Sequence, residues 1–300
     1  MQISDEQLSV WKKPWFDNQK EKAEETKSIV QDAVDKHLGH LNIRVFPKGS
    51  YPNNTNVRHD SDIDIAVEYT GLVHFNYSDG VRLINTDLSP YIGITELDYK
   101  MQLLRALELE FGSSVVDSEG NKVFKIRGSD KILNADIIPC TTYHHYYSQN
   151  NYLFDKGIKL ILNVPDGIDH VNFPDHHYDR GVFKNLATEK RFKSSTRILK
   201  NINGHLNTKK GIPLFPSYMI ESLAHNISDI TYKNTDSWRE MLLNGALEIW
   251  EYLKNDEYLL QNQLRWREVN GIKFLFYENQ NWSKDDAKTF VSEYYHLLSN

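Results

Sequence analysis

Residues 62–69 read Asp-Ile-Asp-Ile-Ala-Val-Glu-Tyr, and this alternation constrains the chain more than any other stretch. Successive side chains on a strand point to opposite faces, so Asp62 and Asp64 share one face while Ile63, Ile65 and Val67 bury the other. Such a strand needs a sheet around it and a core beneath it. Two carboxylates aimed at one point also repel each other and raise each other's pKa, a penalty that a divalent cation removes. Hard oxygen ligands suit Mg2+. Alone, an alternating Asp pair at a strand edge is more often a solvated, turn-adjacent feature.

Here the pair has a context. Gly49-Ser50 precedes Asp62 by an eleven-residue spacer. Glycine lets backbone N–H groups approach phosphate oxygens and serine adds a hydroxyl donor, so Gly49 and Ser50 read as half of a phosphate site. Residues 17–41 read as a long, charged amphipathic helix, with Ile29, Val30, Ala33, Val34 and Leu38 on one face. A short strand is expected at 43–46, broken by Pro47-Lys48-Gly49-Ser50. Helical periodicity returns at 95–111. Two apolar alternating runs, 123–127 and 132–139, joined by Gly128-Ser129-Asp130, read as a hairpin or adjacent strand pair.

From about residue 180 strand signals give way to helical patterns: FKNLATEKRFKSSTRILKNINGHL, SYMIESLAHNI, WREMLLNGALEIWEYL and DDAKTFVSEYYHLL. Strands first and helices after predict an α+β, bilobed chain with a central active-site cleft. The first domain is expected at 1–180, a mixed sheet with flanking helices, and the second, helical lobe at 181–300. The segment NVPDGIDHVNFPDHHYDRG carries turn residues at loop density and reads as an active-site loop or interlobe connection.

Composition narrows the class. A chain of 300 residues with 40% hydrophobic content can fill a two-lobed core. No run approaches the roughly 18–20 apolar residues of a membrane span, and the start MQISDEQLSVWKK lacks the apolar core of a signal peptide, so a cytoplasmic protein with no membrane partner is expected. A net charge of -6 leans toward a small-molecule substrate and away from a grip on long nucleic acid. The single cysteine, Cys140, excludes an internal disulfide and leaves the histidines to build any structural zinc site almost alone. His144-His145 and His176-His177 are adjacent and point apart; they read as solvated or hydrogen-bonded.

The stretch GSYPNNTNVRHDSDIDIAV resembles the GS-x(n)-DxD signature of DNA polymerase β-like nucleotidyltransferases. That resemblance implies a third carboxylate on a later strand. In ILNADIIPC, Asp136 is an acid in an otherwise apolar strand, where an unpaired charge is costly, and it is the candidate. The bland alternative is an aspartate satisfied by a neighbour such as Arg127; Asp130, in a turn, fits less well. Two-metal logic then gives one Mg2+ to Asp62, Asp64 and Asp136, acting on the acceptor hydroxyl. A second goes to Asp62, Asp64 and the triphosphate, with Mn2+ as an alternative metal. Asp136 is a candidate general base.

Further along, RILKNINGHLNTKKGIPLFPSYMIESL resembles the C-terminal lobe of cyclic GMP-AMP synthase and its bacterial relatives, the CD-NTases. The resemblance implies that Lys200 and Ser217 contact the triphosphate and that Tyr218 stacks on the donor base. The residue chemistry agrees: lysine is a point charge for phosphate, a helix start attracts anions, and a tyrosine face takes any base. Taken singly, Ser217 after Pro216 is first an N-cap, Tyr218 is ordinary core, and Lys209-Lys210 is a solvated turn. The family's members make cyclic di- or trinucleotides, or short linear products, from NTPs and switch on effectors through that product during phage infection (CBASS). The zinc insertion that engages DNA in animals has no equivalent here, so no DNA activator is expected. The competing readings are a template-independent tailing enzyme acting on tRNA, RNA or a protein target, and a non-catalytic nucleotide binder.

Overall fold

The computed structural model describes residues 3–14, 17–57, 62–78, 81, 91–148, 153–168, 170–255 and 263–299. In chain order they form α1 (Asp5–Trp11), α2 (Asp17–Leu38), β1 (Ile43–Lys48), β2 (Ile63–Tyr77), α3 (Glu96–Phe111), β3 (Val116–Asp117), β4 (Phe124–Ile126) and β5 (Ala135–Tyr146). Then follow β6 (Phe154–Leu160), β7 (Val171–Asn172), α4 (Pro174–Ala187), α5 (Arg191–Lys210), α6 (Ser217–Asn226), α7 (Asp229–Lys233), α8 (Trp238–Lys254) and α9 (Lys284–Ser299). The chain divides into two compact units: a sheet unit of residues 16–52 and 61–175, and a helical unit of residues 1–15, 53–60 and 176–300.

In the sheet unit the strand order is β1-β2-β5-β4-β3, with β6 also on β5 and β7 on β6. β2 and β5 run parallel at the centre; β1 flanks β2 and β4 flanks β5, both antiparallel. Pro47, which has no N–H to give, sits on the edge strand β1. Ile63, Ile65, Val67, Ala135 and Ile137 face a core built with Val30, Val34 and Leu38 of α2 and Tyr99, Leu103 and Leu107 of α3. That packing commits one face of β2 to the interior and leaves Asp62 and Asp64 on the other. α3 begins as its pattern predicts, with Thr95 Oγ1 accepting from the Asp98 N–H at 3.1 Å.

The helical unit has its own core, in which Ile198, Leu199 and Ile202 of α5 meet Met219, Ile220 and Leu223 of α6, Met241 and Ile249 of α8, and Phe290 and Tyr294 of α9. Four expectations are corrected. The first strand does not break at Pro47: β1 runs through it to Lys48, paired with β2. The loop reading of residues 163–181 fails from Val171 onward, because Val171–Asn172 form β7 against β6 and Pro174 opens α4; a proline at the first helical position lacks only an N–H that would be unpaired anyway. The helical pattern at 183–206 is two helices, broken at Glu189 and Lys190, whose φ values are 53° and 66°. Pro216 is the N-cap of α6 and Ser217 its first helical residue, so Ser217 is not the cap.

Candidate active site

The parallel register pairs Asp64 of β2 with Asp136 of β5. Residues directly paired across a sheet present their side chains on one face. Two antiparallel registers extend that row, because Lys48 of β1 pairs with Asp64 and Lys125 of β4 pairs with Asp136. The row across four strands therefore reads Lys48, Asp64, Asp136, Lys125. Asp62 lies one residue before β2, exposed, and its Oδ1 accepts from Asn134 Nδ2 at 3.2 Å. The same Asn134 gives its carbonyl to Ile63 N–H at 2.9 Å and its side-chain oxygen to Gly128 N–H at 2.8 Å. One asparagine thus locks the turn before β5 to the head of β2.

Burial pushes the Asp136 carboxyl above its ordinary pKa; the charges of Asp64 and Asp62 push the same way, and Lys125 and Lys48 pull back. The cations whose charge acts on this carboxylate are Lys125 and Lys48, and Lys125, not Arg127, stands in register with Asp136 on β4. Gly49 turns the chain at φ 74°, and a Cβ there would collide with Asp64 Oδ2. Glycine is needed at 49 for its backbone conformation and for the close approach of that carboxylate. Ser50 follows in the same turn, partly buried.

Three carboxylates with no thiolate or imidazole among them are donors for a hard cation such as Mg2+. Among the described residues, no three His, Cys, Asp or Glu side chains are drawn into one ready cage. The fit of Mg2+ therefore rests on donor chemistry and on the face that Asp64 and Asp136 share. The histidine pairs have other partners: His144 stacks on Phe154 at 3.9 Å, His145 Nε2 lies 3.0 Å from Ser78 Oγ, and His177 Nε2 lies 2.8 Å from Glu221 Oε1.

Lys200, Ser217 and Tyr218 all lie in the helical unit. Lys200 is buried on α5, its Nζ 3.6 Å from Glu221 Oε2 on α6. Ser217 is one turn before Glu221, on the same side of the helix. The Tyr218 hydroxyl accepts from Asn270 Nδ2 at 3.1 Å, and its ring packs against His177 at 5.0 Å and Trp282 at 6.2 Å. Burial raises the phenol well above its usual pKa, and Glu268 and Glu221 add to that, so the hydroxyl is an anchor rather than an acid. Lys209 and Lys210 end α5, where Lys210 pairs with Glu293 at 2.9 Å.

Sequence reasoning missed Glu221, Thr55, Asn270 and the two flanking lysines. Glu221 left a signal: it is a lone acid in the apolar run MIESLA, and a buried charge must have a partner. The others left none.

A family model for the cGAS/DncV-like nucleotidyltransferase C-terminal helical domain matches residues 179–299. Among curated proteins, a cyclic dipyrimidine nucleotide synthase CdnE from Legionella pneumophila is 33% identical over 94% of this chain and 93% of its own length. Another cyclic dipyrimidine nucleotide synthase CdnE, from Cecembia lonarensis, is 30% identical over 96% of each. Among solved structures, the Elizabethkingia meningoseptica CdnE cyclic dinucleotide synthase with GTP and Apcpp superposes with a TM-score of 0.80 at 26% identity, covering 99% of this chain and 100% of that one.

Proposed function

The chain belongs to the cGAS/DncV-like nucleotidyltransferase family, the CD-NTases, and on that premise we propose that it joins two pyrimidine nucleotides into a cyclic dinucleotide. It is a nucleotidyltransferase that makes a cyclic oligonucleotide from NTPs. The pyrimidine choice rests on the two relatives above, both cyclic dipyrimidine nucleotide synthases that match this chain over almost its whole length. The observation that carries the chemistry is the pairing of Asp64 with Asp136 across parallel β2 and β5, beside Asp62.

In this reading Asp62, Asp64 and Asp136 hold Mg2+, which when bound supplies Lewis acidity for the acceptor hydroxyl and counter-charge for pyrophosphate. Asp136, whose carboxyl is already raised, takes the proton of the acceptor hydroxyl as general base. The hydroxyl oxygen forms a bond to the donor's α-phosphorus, the α–β phosphoanhydride bond breaks, and pyrophosphate leaves. A second round of the same exchange, within the linear intermediate, closes the ring. The turn at Gly49 and Ser50 offers N–H and hydroxyl donors to phosphate oxygens. Lys200 and Ser217 bind the triphosphate, and Tyr218, its hydroxyl tethered to Asn270, presents its ring to a base.

No helix among the described residues is long and apolar enough to cross a membrane. We place the protein in the cytoplasm, where its product switches on an effector during phage infection, as the family resemblance implies. The deciding experiment incubates purified protein with all four NTPs and Mg2+, without nucleic acid, and resolves products by mass spectrometry after phosphatase treatment. A phosphatase-resistant cyclic dinucleotide with two pyrimidines is expected. A purine-containing ring would overturn the pyrimidine assignment alone; activity only with an added polynucleotide acceptor would overturn autonomous cyclic-product synthesis.

A further inference from the structure

His177 and Lys200 of the helical unit converge on Glu221, a side chain with no part in the reading above. Its carboxylate is buried, with Oε1 accepting from His177 Nε2 at 2.8 Å and Oε2 accepting from Thr55 Oγ1 at 2.9 Å. Lys200 Nζ stands 3.6 Å from the same Oε2, and both side chains are only 3% exposed. Four segments meet there: residues 53–57, α4, α5 and α6. Burial alone would push the carboxyl up, but His177, then Lys200 and Thr55, outweigh it and hold Glu221 at about 2.

Two features distinguish this node from an ordinary buried ion pair. Thr55 and Lys200 share one oxygen, and the hydroxyl takes the short contact. The ammonium is left at 3.6 Å, outside hydrogen-bonding distance of that oxygen. Glu221 thus stands beside the buried Lys200 ammonium without closing on it, and a lysine clamped tightly to a carboxylate would lose much of its attraction for an anionic ligand. The second feature is His177. Its Nε2 is fixed by Glu221, Asn53 Nδ2 lies 3.4 Å from its Nδ1, and its ring packs on Tyr218 with planes 57° apart.

We propose that Glu221 is a positioning residue for nucleotide binding: it holds Lys200 poised for a triphosphate and, through His177, sets the ring of Tyr218 for a base. This rests on the assignment of Lys200 and Tyr218 to the nucleotide. Thr55 has a definite part in the device, because its hydroxyl occupies the oxygen that Lys200 would otherwise approach. Removing that hydroxyl lets the ammonium close onto Glu221 and draws it away from phosphate.

The test is steady-state kinetics with the full-length protein, NTPs and Mg2+, for Thr55→Val, Glu221→Gln, Glu221→Asp, Lys200→Ala and Tyr218→Ala, each with its Tm. Thr55→Val should raise the KM for NTP by about threefold to tenfold, the effect falling on KM rather than kcat. Glu221→Gln should raise it by about tenfold or more, and Glu221→Asp, which restores the charge, should recover part of the loss. If Lys200→Ala raises KM while Thr55→Val and Glu221→Gln lower only Tm, the proposal is overturned and the nucleotide assignment stands. If Lys200→Ala and Tyr218→Ala both leave KM unchanged, the two fall together. Should Glu221→Gln fail to fold, Thr55→Val, which keeps every charge in the node, decides alone.

Discussion

Asp136 and Glu221 are both carboxylates drawn out of water, yet one has its carboxyl pushed up and the other is held at about 2. The difference lies in the neighbours. Asp136 stands in register with Asp64 near Asp62, and its counter-charges are lysines on the flanking strands. Glu221 has His177, Thr55 and Lys200 directed at its two oxygens. On the proposed reading, charge meant for a metal is left under-compensated within the protein, whereas charge that orients other side chains is satisfied by them. The first arrangement works against stability and the second supports it. Substitution should therefore separate the two groups: damage at the heads of β2 and β5 should appear in turnover with the fold intact, and damage at Glu221 should appear in folding as well as in KM.

The largest effect is expected at the row of acids. Asp62→Asn, Asp64→Asn and Asp136→Asn each keep the side-chain shape and remove a ligand charge, so product formation should fall by ~10³-fold or more. For Asp136→Asn the Tm of the metal-free protein should hold or rise, because the variant removes a carboxylate that burial and Asp64 both disfavour. Calorimetry in EDTA beside a turnover assay measures both. A lower Tm together with retained turnover would reverse the comparison.

Glu221→Ala comes next, and it should act on folding. It strips the shared carboxylate from a buried charge network that includes Lys200 and His177, a change that typically costs about 3–5 kcal/mol, read by denaturant unfolding. The pH dependence follows the same group. Its folded pKa of about 2 lies below the ordinary glutamate value of 4.5. Its stabilising contribution is therefore full above about pH 4.5 and is lost as pH falls toward about 2. The stability gap between wild type and Glu221→Gln should accordingly be constant above that range and shrink within it. A gap that widened in acid would show that Glu221 is not ionised in the fold.

Gly49→Ala should have an intermediate effect. The position combines a φ of 74° with the contact on Asp64 Oδ2, so alanine adds strain on the order of 1–2 kcal/mol and displaces a carboxylate. Both Tm and turnover should fall. A loss of turnover shared with Gly49→Ser at unchanged Tm would instead assign the glycine to ligand approach alone.

How much of this was legible in the sequence depends on how far apart the contacting residues lie. α2, α3, the head of β2 and the β4–β5 pair follow from local periodicity, and Asp62 and Asp64 share a face by strand geometry alone. The second half of β2, residues 70–77, was missed because Gly71, His74 and Asn76 dilute the alternation, and a register shift after Tyr69 interrupts it. Pro174 was read as a breaker when it is a helix opener. The break at residues 188–190 carries no glycine, so nothing in the sequence marks its left-handed residues. The Thr55 to Glu221 bond joins positions 166 residues apart, and no periodic pattern encodes such a contact. The same holds for the lysines beside the acids, whose places follow only from strand register.

Those lysines provide the smallest and most discriminating test. Lys125 is exposed on β4 opposite Asp136, and an exposed charge acts on its neighbour through solvent, with an effect typically near 0.2–1 kcal/mol. It opposes the negative charge that would attract Mg2+. Lys125→Gln should therefore tighten Mg2+ rather than weaken it, lowering the Mg2+ concentration for half-maximal turnover by about twofold to fivefold. The gain should shrink as added salt screens the pair, since the Debye length falls to about 3 Å at 1 M. Mg2+ titrations of wild type and Lys125→Gln at low and high salt read this directly. Weaker Mg2+ binding at both ionic strengths would mean that Lys125 contacts the nucleotide itself rather than opposing the metal.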